Sequence, residues 1–247
     1  MVIELSTPDG PCATTIVVPP AGSPRHAVIV FHDAAGPRPA QTRILERIAE
    51  MGYVAVQPNL FHRSPPLESF IGAPVTLTAV QKVFQNPELK ARFMAEYYQP
   101  ALGYPNLEAT VGAVLAHLEE EHDARRVGTT GYCMGGNASF RAATIFGARI
   151  AAAAAFHPGG LVTDQPDSPH LRARSVKARL YIAPATGDLA PDAEAKLRAA
   201  LDAGGVHFDI AHYDAKHGYA VEDAATHDGA AAERHYQALE TLFRQAL

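Results

Sequence analysis

Short apolar runs alternate with longer amphipathic stretches along most of the chain. The short runs are rich in β-branched or small apolar residues and predict strands. These predicted strands are Val2–Thr7, Ala13–Val18, Ala27–Phe31, Tyr53–Gln57, Val127–Gly131, Ile150–Phe156, Leu180–Ala183 and Val206–Tyr213. The amphipathic stretches predict helices at Arg43–Met51, Leu107–Leu118, after Met134, at Asp192–Asp202 and at Ala230–Leu247. This alternation predicts an α/β fold with a mostly parallel, doubly wound sheet and helices on both faces.

Residues 64–105 interrupt the alternation, because prolines divide the segment into short pieces. Only Leu89–Tyr98 has a helical pattern. Long insertions within α/β domains usually form lids or binding loops. No internal repeat or second domain is visible, so the sequence predicts one domain over residues 1–247, with 64–105 as a lid-like or pocket-forming excursion.

Composition narrows the function classes. With 247 residues, 47% of them hydrophobic, the chain can bury one large core. A net charge of -5 offers no basic footprint for nucleic acid or an anionic membrane. The N-terminal residues lack a signal-peptide pattern, and no apolar run reaches the roughly 20 residues of a membrane helix. Two cysteines, Cys12 and Cys133, do not form a disulfide framework. We therefore expect a cytoplasmic protein without membrane contact.

One stretch carries the most specific chemistry. Gly131-Tyr-Cys133-Met-Gly135 has the spacing G-x-C-x-G, the cysteine form of the turn that presents a nucleophile between a strand and a helix. The glycines remove side chains that would collide with neighbouring elements in so tight a turn. Taken alone, the pattern fits an ordinary glycine-rich turn with a buried cysteine equally well.

Two further residues fall at strand ends in a meaningful order. Cys133, Asp188 and His217 each follow a predicted strand, and functional groups of open α/β sheets gather at the carboxyl ends of strands. The order nucleophile, acid, histidine is that of the α/β-hydrolase fold. Asp192 and Asp214 are alternative acids; Asp192 has the position of a helix-start residue, and Asp214 is only three residues before His217.

Together these features resemble the dienelactone hydrolase family. The resemblance rests on Gly131-Tyr-Cys133-Met-Gly-Gly136, on Gly187-Asp188 after a strand, on Lys216-His217-Gly218-Tyr219, and on Glu233-Arg234 near the last helix. It implies an α/β-hydrolase without metal or organic cofactor that opens a lactone or ester through a thiol ester intermediate.

The resemblance also implies residue roles. Cys133 would be the nucleophile, His217 the general base and then acid, and Asp188 the group that orients the imidazole. The backbone N–H groups of Ala34 and Met134 would hold the oxyanion.

One further acid has an expected role. Asp33 occupies the place of a glutamate that contacts the resting cysteine in the family, and is one methylene shorter. If it does not reach, the thiol stays paired with His217.

Substrate contacts are less defined by the sequence. Where the family's dienelactone-hydrolysing members carry an arginine that binds the substrate carboxylate, four residues after the histidine, this chain has Val221. This argues against a small dienelactone as the natural substrate. Arg63 and Arg92 are the alternative anion contacts, and Tyr98, His157 and Tyr219 are candidates for the pocket lining. The aromatic residues of the excursion fit simple packing onto the domain as well.

We expect a small-molecule ester or lactone substrate and a monomer or homodimer. Three functions stay open. The first is a cysteine-dependent hydrolase. The second is a thioesterase or acyl transferase with the same groups. The third is a non-catalytic protein of this fold that binds a small acyl or aromatic ligand or a partner protein. The twelve histidines do not predict a metal site, since neither H-x-x-x-H nor C-x-x-C occurs.

Overall fold

The structure is a computed structural model, which describes residues 1–19 and 26–247. Eight strands form one sheet in the order β1-β2-β4-β3-β5-β6-β7-β8. The strands are β1 Val2–Thr7, β2 Gly10–Val17, β3 Ala27–Phe31, β4 Val54–Pro58, β5 Val127–Tyr132, β6 Ile150–Phe156, β7 Arg179–Ala183 and β8 Phe208–Ile210. The β1–β2 and β2–β4 pairs are antiparallel. The six strands β3 to β8 are parallel to one another. The predicted α/β-hydrolase fold is confirmed.

Helices cover both faces of this sheet. The helices are α1 Pro39–Glu50, α2 Leu67–Ile71, α3 Leu77–Val83, α4 Pro87–Phe93, α5 Gln99–Leu102, α6 Tyr104–His122, α7 Met134–Phe146, α8 Pro191–Ala203 and α9 Gly229–Ala246. β5 shows the two faces directly. A Cβ on Gly128 would meet the Phe243 ring of α9, whereas one on Gly131, on the opposite face, would meet the backbone of α7. No helix in the described part of the chain is long and apolar enough to cross a membrane.

The centre of the sheet is fully buried, as a strand covered on both faces requires. Every residue of β3, β5 and β6 is buried. β6 consists of five alanines between Ile150 and Phe156, and its small side chains let α7 lie close to the sheet. α7 itself is buried from Met134 to Thr144. The carboxyl ends of these strands are therefore held on a rigid base.

Two predicted elements differ from the structure. The predicted strand Val206–Tyr213 is regular only over β8, at the edge of the sheet, and Tyr213 makes an isolated bridge with Ala185. The predicted helix Leu89–Tyr98 is divided between α4 and a turn of π-helix at Met94–Tyr98. π-helical turns are rare and frequently occur at functional sites.

The excursion at 64–105 packs onto the main core through aromatic rings. Phe70, Phe84, Phe93 and Tyr97 make edge-on or stacked contacts with one another and with Phe61, which lies just before the excursion. Prolines stand in the first turns of α4, α5 and α6, where a missing N–H costs no helical hydrogen bond. The prolines therefore start the helices of the excursion rather than prevent them.

Candidate active site

The candidate nucleophile lies at a strained turn between β5 and α7. Cys133 has a φ of 55° and a ψ of -116°, a region that costs a non-glycine residue about 1–3 kcal/mol. Its N–H donates to the carbonyl of Phe156 over 3.0 Å, which ties the turn to β6. The residue stands at the carboxyl edge of the sheet and directly before the first residue of α7.

Two glycines make this turn possible. A Cβ on Gly131 would lie 2.0 Å from the Gly135 carbonyl oxygen, and a Cβ on Gly135 would lie 2.1 Å from the Phe31 carbonyl oxygen. Both distances are far inside van der Waals contact, and both opposing atoms belong to backbone that cannot move aside. The G-x-C-x-G spacing thus has the steric basis expected from the sequence.

Asp188 and His217 form a hydrogen-bonded pair on neighbouring loops. His217 Nδ1 donates to Asp188 Oδ1 over 2.8 Å. The other carboxylate oxygen accepts from the N–H of Ala185 over 3.1 Å. This second bond fixes the carboxylate, and the pairing selects Asp188 rather than Asp192 or Asp214 as the partner of the imidazole.

The opposite side of the His217 ring faces Cys133. Both side chains line the same cavity, and Cys133 contributes to the pKa of His217. Burial of the ring opposes a positive charge, but the Cys133 thiolate and the Asp188 carboxylate outweigh it and raise the pKa of His217 to about 11. The charges around the ring therefore favour a protonated imidazole.

Two backbone N–H groups expected from the sequence to hold an oxyanion have no acceptor among the described residues. Met134 is the first residue of α7, so its N–H has no acceptor within the helix. Ala34 is buried, and its N–H has no acceptor among the described residues. The turn that presents Ala34 is held by its neighbours: Gly36 N–H donates to the Asp33 carbonyl over 3.1 Å. Buried N–H groups without acceptors are rare and suit an anionic ligand atom.

Asp33 does not contact the thiol, which corrects the expectation from the sequence. Its Oδ1 accepts from Arg38 Nη1 at 2.7 Å and from the Ala35 N–H at 2.8 Å. Its Oδ2 accepts from Arg38 Nη2 at 2.8 Å and from Gln41 Nε2 at 2.9 Å. With both oxygens bound in this way, the carboxylate is not a hydrogen-bond partner of Cys133.

Arg38 joins two loops of the site, a role that the sequence did not reveal. Besides Asp33, it donates through Nε and Nη2 to both oxygens of Asp223, at 2.7 and 2.8 Å. Burial opposes its charge, but Asp223 and Asp33 outweigh burial and raise the pKa of Arg38. Asp223 lies in the segment that follows His217. The turn that contains Asp33 and Ala34 and the segment after His217 are therefore linked through one buried guanidinium.

A cavity of about 720 Å³ opens above Cys133 and His217. One wall comes from the excursion and is largely apolar; it contains Phe84, Met94, Tyr98 and Leu102. The other wall is polar and contains Asn137 and Arg141 of α7 together with Asp167. A cavity of this size and mixed lining fits a small organic ligand.

Both arginines expected to contact an anion lie elsewhere. Arg63 binds Asp9 in the N-terminal hairpin at 2.7 Å and Thr110 of α6 at 2.9 Å. Arg92 is exposed, lies over the Phe70 ring and forms an ion pair within α4 and the π-helical turn. Neither side chain lines the cavity.

Of the aromatic candidates, Tyr98 lines the cavity, whereas His157 and Tyr219 lie beneath it. His157 is fully buried, with its ring centroid 4.9 Å from that of His217. Burial and the nearby His217 lower the pKa of His157 well below its usual value. Tyr219 is buried and donates to the Ala183 carbonyl over 3.1 Å. Neither residue lines the cavity.

The spacing of polar residues after Cys133 could have predicted the polar wall of the cavity from the sequence. Cys133, Asn137 and Arg141 recur at intervals of four residues, so they lie along one face of α7. A polar stripe that begins at a candidate nucleophile predicts a ligand-facing surface. Nothing comparable marks Arg38 and Asp223, because they are 185 residues apart and meet only in the folded chain.

The fold and its strained cysteine turn are those of the α/β-hydrolases. Within that class, the chain belongs to the dienelactone hydrolase family, whose family model matches residues 13–247. Family and fold together make the protein a carboxylic ester hydrolase. The resemblance noted from the sequence motifs is confirmed.

Solved structures show the same fold at low sequence identity. A candidate dienelactone hydrolase from Klebsiella pneumoniae has a TM-score of 0.81 at 21% identity, covering 99% of this chain and 98% of its own. A dienelactone hydrolase-like promiscuous phosphotriesterase from metagenomic libraries has a TM-score of 0.68 at 18% identity, covering 100% and 98%. A Pyrococcus furiosus esterase has a TM-score of 0.67 at 13% identity, covering 100% and 92%. No curated protein matches the sequence.

Proposed function

We propose that the protein hydrolyses a carboxylic ester or lactone with Cys133 as nucleophile, His217 as proton carrier and Asp188 as the group that orients the imidazole. The observation that supports this most directly is the position of His217. Its Nδ1 lies 2.8 Å from Asp188 Oδ1, and the ring lines the same cavity as Cys133. A histidine with a purely structural role would not need an orienting carboxylate on one side and a cysteine from a strained turn in the same cavity.

Acylation follows from the resting charges. The Cys133 thiolate attacks the ester carbonyl carbon, and the carbonyl oxygen becomes an oxyanion that accepts from the N–H groups of Ala34 and Met134. Each such donor typically contributes about 3 kcal/mol to lowering the barrier. When the tetrahedral intermediate collapses, the C–O bond breaks and the His217 imidazolium protonates the leaving alkoxide. A thiol ester and a neutral imidazole remain, and for a lactone the alcohol stays attached to the acyl group.

Deacylation restores the resting pair. The neutral His217 takes a proton from water as the water oxygen attacks the thiol ester carbonyl. The second tetrahedral intermediate breaks its C–S bond and releases the thiolate, which pairs again with the imidazolium. The carboxylic acid product then ionises in solvent. Asp188 stabilises the imidazolium in both half-reactions and is not itself protonated.

Replacement of the nucleophile tests the proposal, and the second cysteine provides the control. Cys133→Ala is expected to lower kcat/KM for p-nitrophenyl esters and lactones by about 10³-fold or more, while the protein stays folded. Cys12→Ala removes a buried thiol outside the site and should leave kcat/KM within about two-fold. Intact-protein mass spectrometry of a quenched reaction should show an acyl adduct on the wild type and on Cys12→Ala, and none on Cys133→Ala. A fully active Cys133→Ala protein would refute the proposal.

The segment 64–105 supplies an entire wall of the cavity, and we propose that it selects the substrate within a single domain of residues 1–247. Its contribution is mainly apolar, from Phe84, Met94 and Leu102. Exchange of Met94 for a charged residue should therefore raise KM for apolar esters more than it lowers kcat. Unchanged KM across an ester series of increasing acyl length would argue against this role.

A further inference from the structure

Arg141 is a buried cation in the wall of the cavity. It lies in the third turn of α7, and its side chain is only 8% exposed. Nε donates to Asn137 Oδ1 over 2.8 Å, and Nη1 reaches Asp167 Oδ2 at 3.3 Å. Its guanidinium lies over the Tyr104 ring, 4.4 Å from the centroid. Within residues 1–19 and 26–247, Nη2 has no hydrogen-bond acceptor.

The existing carboxylate partner is a weak one. Asp167 is 57% exposed, and its 3.3 Å contact is longer than the roughly 2.7–2.9 Å of a charge-assisted hydrogen bond. Arg38, by contrast, binds two carboxylates through four bonds of 2.7–2.8 Å. A buried guanidinium normally needs such compensation. Arg141 therefore retains donor capacity toward the cavity, whereas Arg38 has none to spare.

The position of Arg141 sets a distance from the reacting carbonyl. Eight residues separate it from Cys133, so the Cα atoms differ by about 12 Å along the axis of α7. Helical side chains lean toward the N-terminus, and the bond to Asn137 shows that Arg141 does so by about one turn. Along the axis of α7, the guanidinium is then displaced from Cys133 by on the order of 7 Å.

A second donor lies on the same side of the cavity. The Tyr98 hydroxyl and Asn137 Nδ2 would each be 3.4 Å from a Cβ on Gly160, so the two groups are neighbours. Burial and the nearby Cys133 raise the pKa of Tyr98 to about 12, although Arg141 opposes the shift. The hydroxyl thus keeps its proton, and no described side chain or backbone group accepts it.

The charge of the cavity favours a monoanion. Besides the Cys133–His217 pair, its charged lining consists of Lys90, Arg141 and Asp167, which leaves one net positive charge. Val221, at the position where the family resemblance places a carboxylate contact, is fully buried and does not line the cavity. Anion recognition in this chain would therefore come from the wall formed by α7.

We propose that Arg141 binds a carboxylate carried by the acyl part of the substrate, with the Tyr98 hydroxyl as a second donor. The distance fits a carboxylate separated from the scissile carbonyl by a short methylene chain. The substrate class is then the monoesters of short dicarboxylic acids, such as glutaric or adipic acid. This assignment rests on the proposed hydrolase function, and its test is designed to fail independently of that function.

The kinetic test compares two esters of equal acyl length. In p-nitrophenyl hemiglutarate a carboxylate replaces the terminal methyl of p-nitrophenyl pentanoate. The ratio of their kcat/KM values should favour the hemiglutarate in the wild type and fall by about 10- to 100-fold in Arg141→Gln, mainly through KM. Arg172→Gln is the matched control, because Arg172 stacks on the same Tyr104 ring at 3.8 Å and does not line the cavity. An unchanged ratio in Arg141→Gln would overturn the proposal.

A second variant tests the same subsite without removing the arginine. Asp167→Asn deletes the competing carboxylate from a largely exposed position, so its folding is secure. The proposal requires the hemiglutarate to pentanoate ratio to rise in this variant. A ratio that stays constant or falls would contradict the assignment of Arg141, even if Arg141→Gln proved insoluble.

Binding without turnover separates the subsite from the hydrolase mechanism. Calorimetry should show that Cys133→Ala protein binds monomethyl glutarate about ten-fold or more tightly than methyl pentanoate, and that adding Arg141→Gln removes the difference. Arg141-dependent binding by a protein that hydrolyses no ester would retain the subsite and reject the function. Hydrolysis of both esters at equal rates, regardless of Arg141, would reject the subsite and retain the function.

Discussion

Acid should destabilise this protein through histidines that are buried in neutral form. His32 is fully buried at the end of β3, beside the oxyanion turn. Its Nδ1–H donates to the Asp33 carbonyl over 2.7 Å, and its Nε2 accepts from the Leu60 N–H over 2.9 Å. A single neutral tautomer satisfies both bonds, and protonation of Nε2 would break the second. Burial, opposed by Asp33, lowers the pKa of His32 to about 4.

His235 is likewise buried as a neutral ring with both nitrogens hydrogen-bonded. Its Nε2 accepts from the Tyr132 hydroxyl at 3.0 Å, and its Nδ1–H donates to the Ala232 carbonyl. Burial lowers the pKa of His235 to about 3. For both rings the unfolded chain binds a proton below the ordinary value of 6.5 while the folded chain does not. Stability is therefore present above pH 6.5 and is lost as the pH falls toward 4.

The magnitude is large compared with typical protein stability. A shift of one pKa unit corresponds to about 1.4 kcal/mol, so acidification from pH 7 to pH 5 costs about 2 kcal/mol for each of the two histidines. His157 is also buried with a lowered pKa and acts in the same direction. Domains are typically stable by only about 5–15 kcal/mol. We thus expect unfolding in mild acid, above the pH at which the carboxylates are protonated.

Urea unfolding followed by circular dichroism between pH 7 and pH 5 measures this dependence. His32→Asn should lower stability at pH 7, because it disturbs two buried hydrogen bonds, but its stability should fall less steeply with acid. The slope is expected to decrease by about 1 kcal/mol per pH unit. His207→Asn, at an exposed histidine, is the matched control. The reasoning is refuted if His32→Asn retains the wild-type slope.

Three other predictions concern the turn, the loops and the imidazole. Gly135→Ala places a methyl 2.1 Å from backbone and should destabilise the fold by more than about 4 kcal/mol in thermal unfolding. The control Gly112→Ala lies in open space within α6 and should stabilise the fold by up to about 1 kcal/mol. Equal effects of the two substitutions would contradict the steric account. Arg38→Met should lower the free energy of unfolding by about 3–5 kcal/mol, because it leaves buried carboxylates without a partner. Arg47→Met, in an exposed ion pair, should lower it by about 1 kcal/mol or less. Similar losses in urea unfolding would contradict the linking role of Arg38. NMR of the His217 ring should show an imidazolium from neutral pH until about pH 11, where the charge is lost; titration near the ordinary pKa would disprove the thiolate–imidazolium pair.

The parts of the site that could be predicted from the sequence are those fixed by local geometry. Cys133, Asp188 and His217 each follow a strand, and the glycines beside Cys133 mark the tight turn directly in the sequence. Chain order and strand ends therefore locate the three residues without knowledge of any contact. Tyr98 could also be predicted as a pocket residue, because it is an aromatic residue within the insertion.

The parts that could not be predicted depend on contacts between distant segments. Asp33 follows a strand end and suggests a role at the nucleophile, yet its carboxylate is bound by Arg38, whose other partner Asp223 is 185 residues away. Arg63 and Arg92 have the right charge, but the excursion directs them away from the cavity. Residue type and order carry no information on such directions, because they are set by the packing of the excursion.

Arg38 and Arg141 show how packing assigns different roles to the same residue type near one nucleophile. Both are buried, but Arg38 is saturated by two carboxylates, whereas Arg141 has one long contact with an exposed aspartate. The charge of Arg38 is thereby neutralised within the protein. Loss of Arg38 should lower the stability of the fold and should change the hydrolysis of all substrates by a similar factor. The charge of Arg141 is only partly compensated, and its loss should affect chiefly a substrate that carries the missing negative charge. Comparing the two arginine variants on a charged and a neutral ester therefore separates a residue that builds the site from one that selects its ligand.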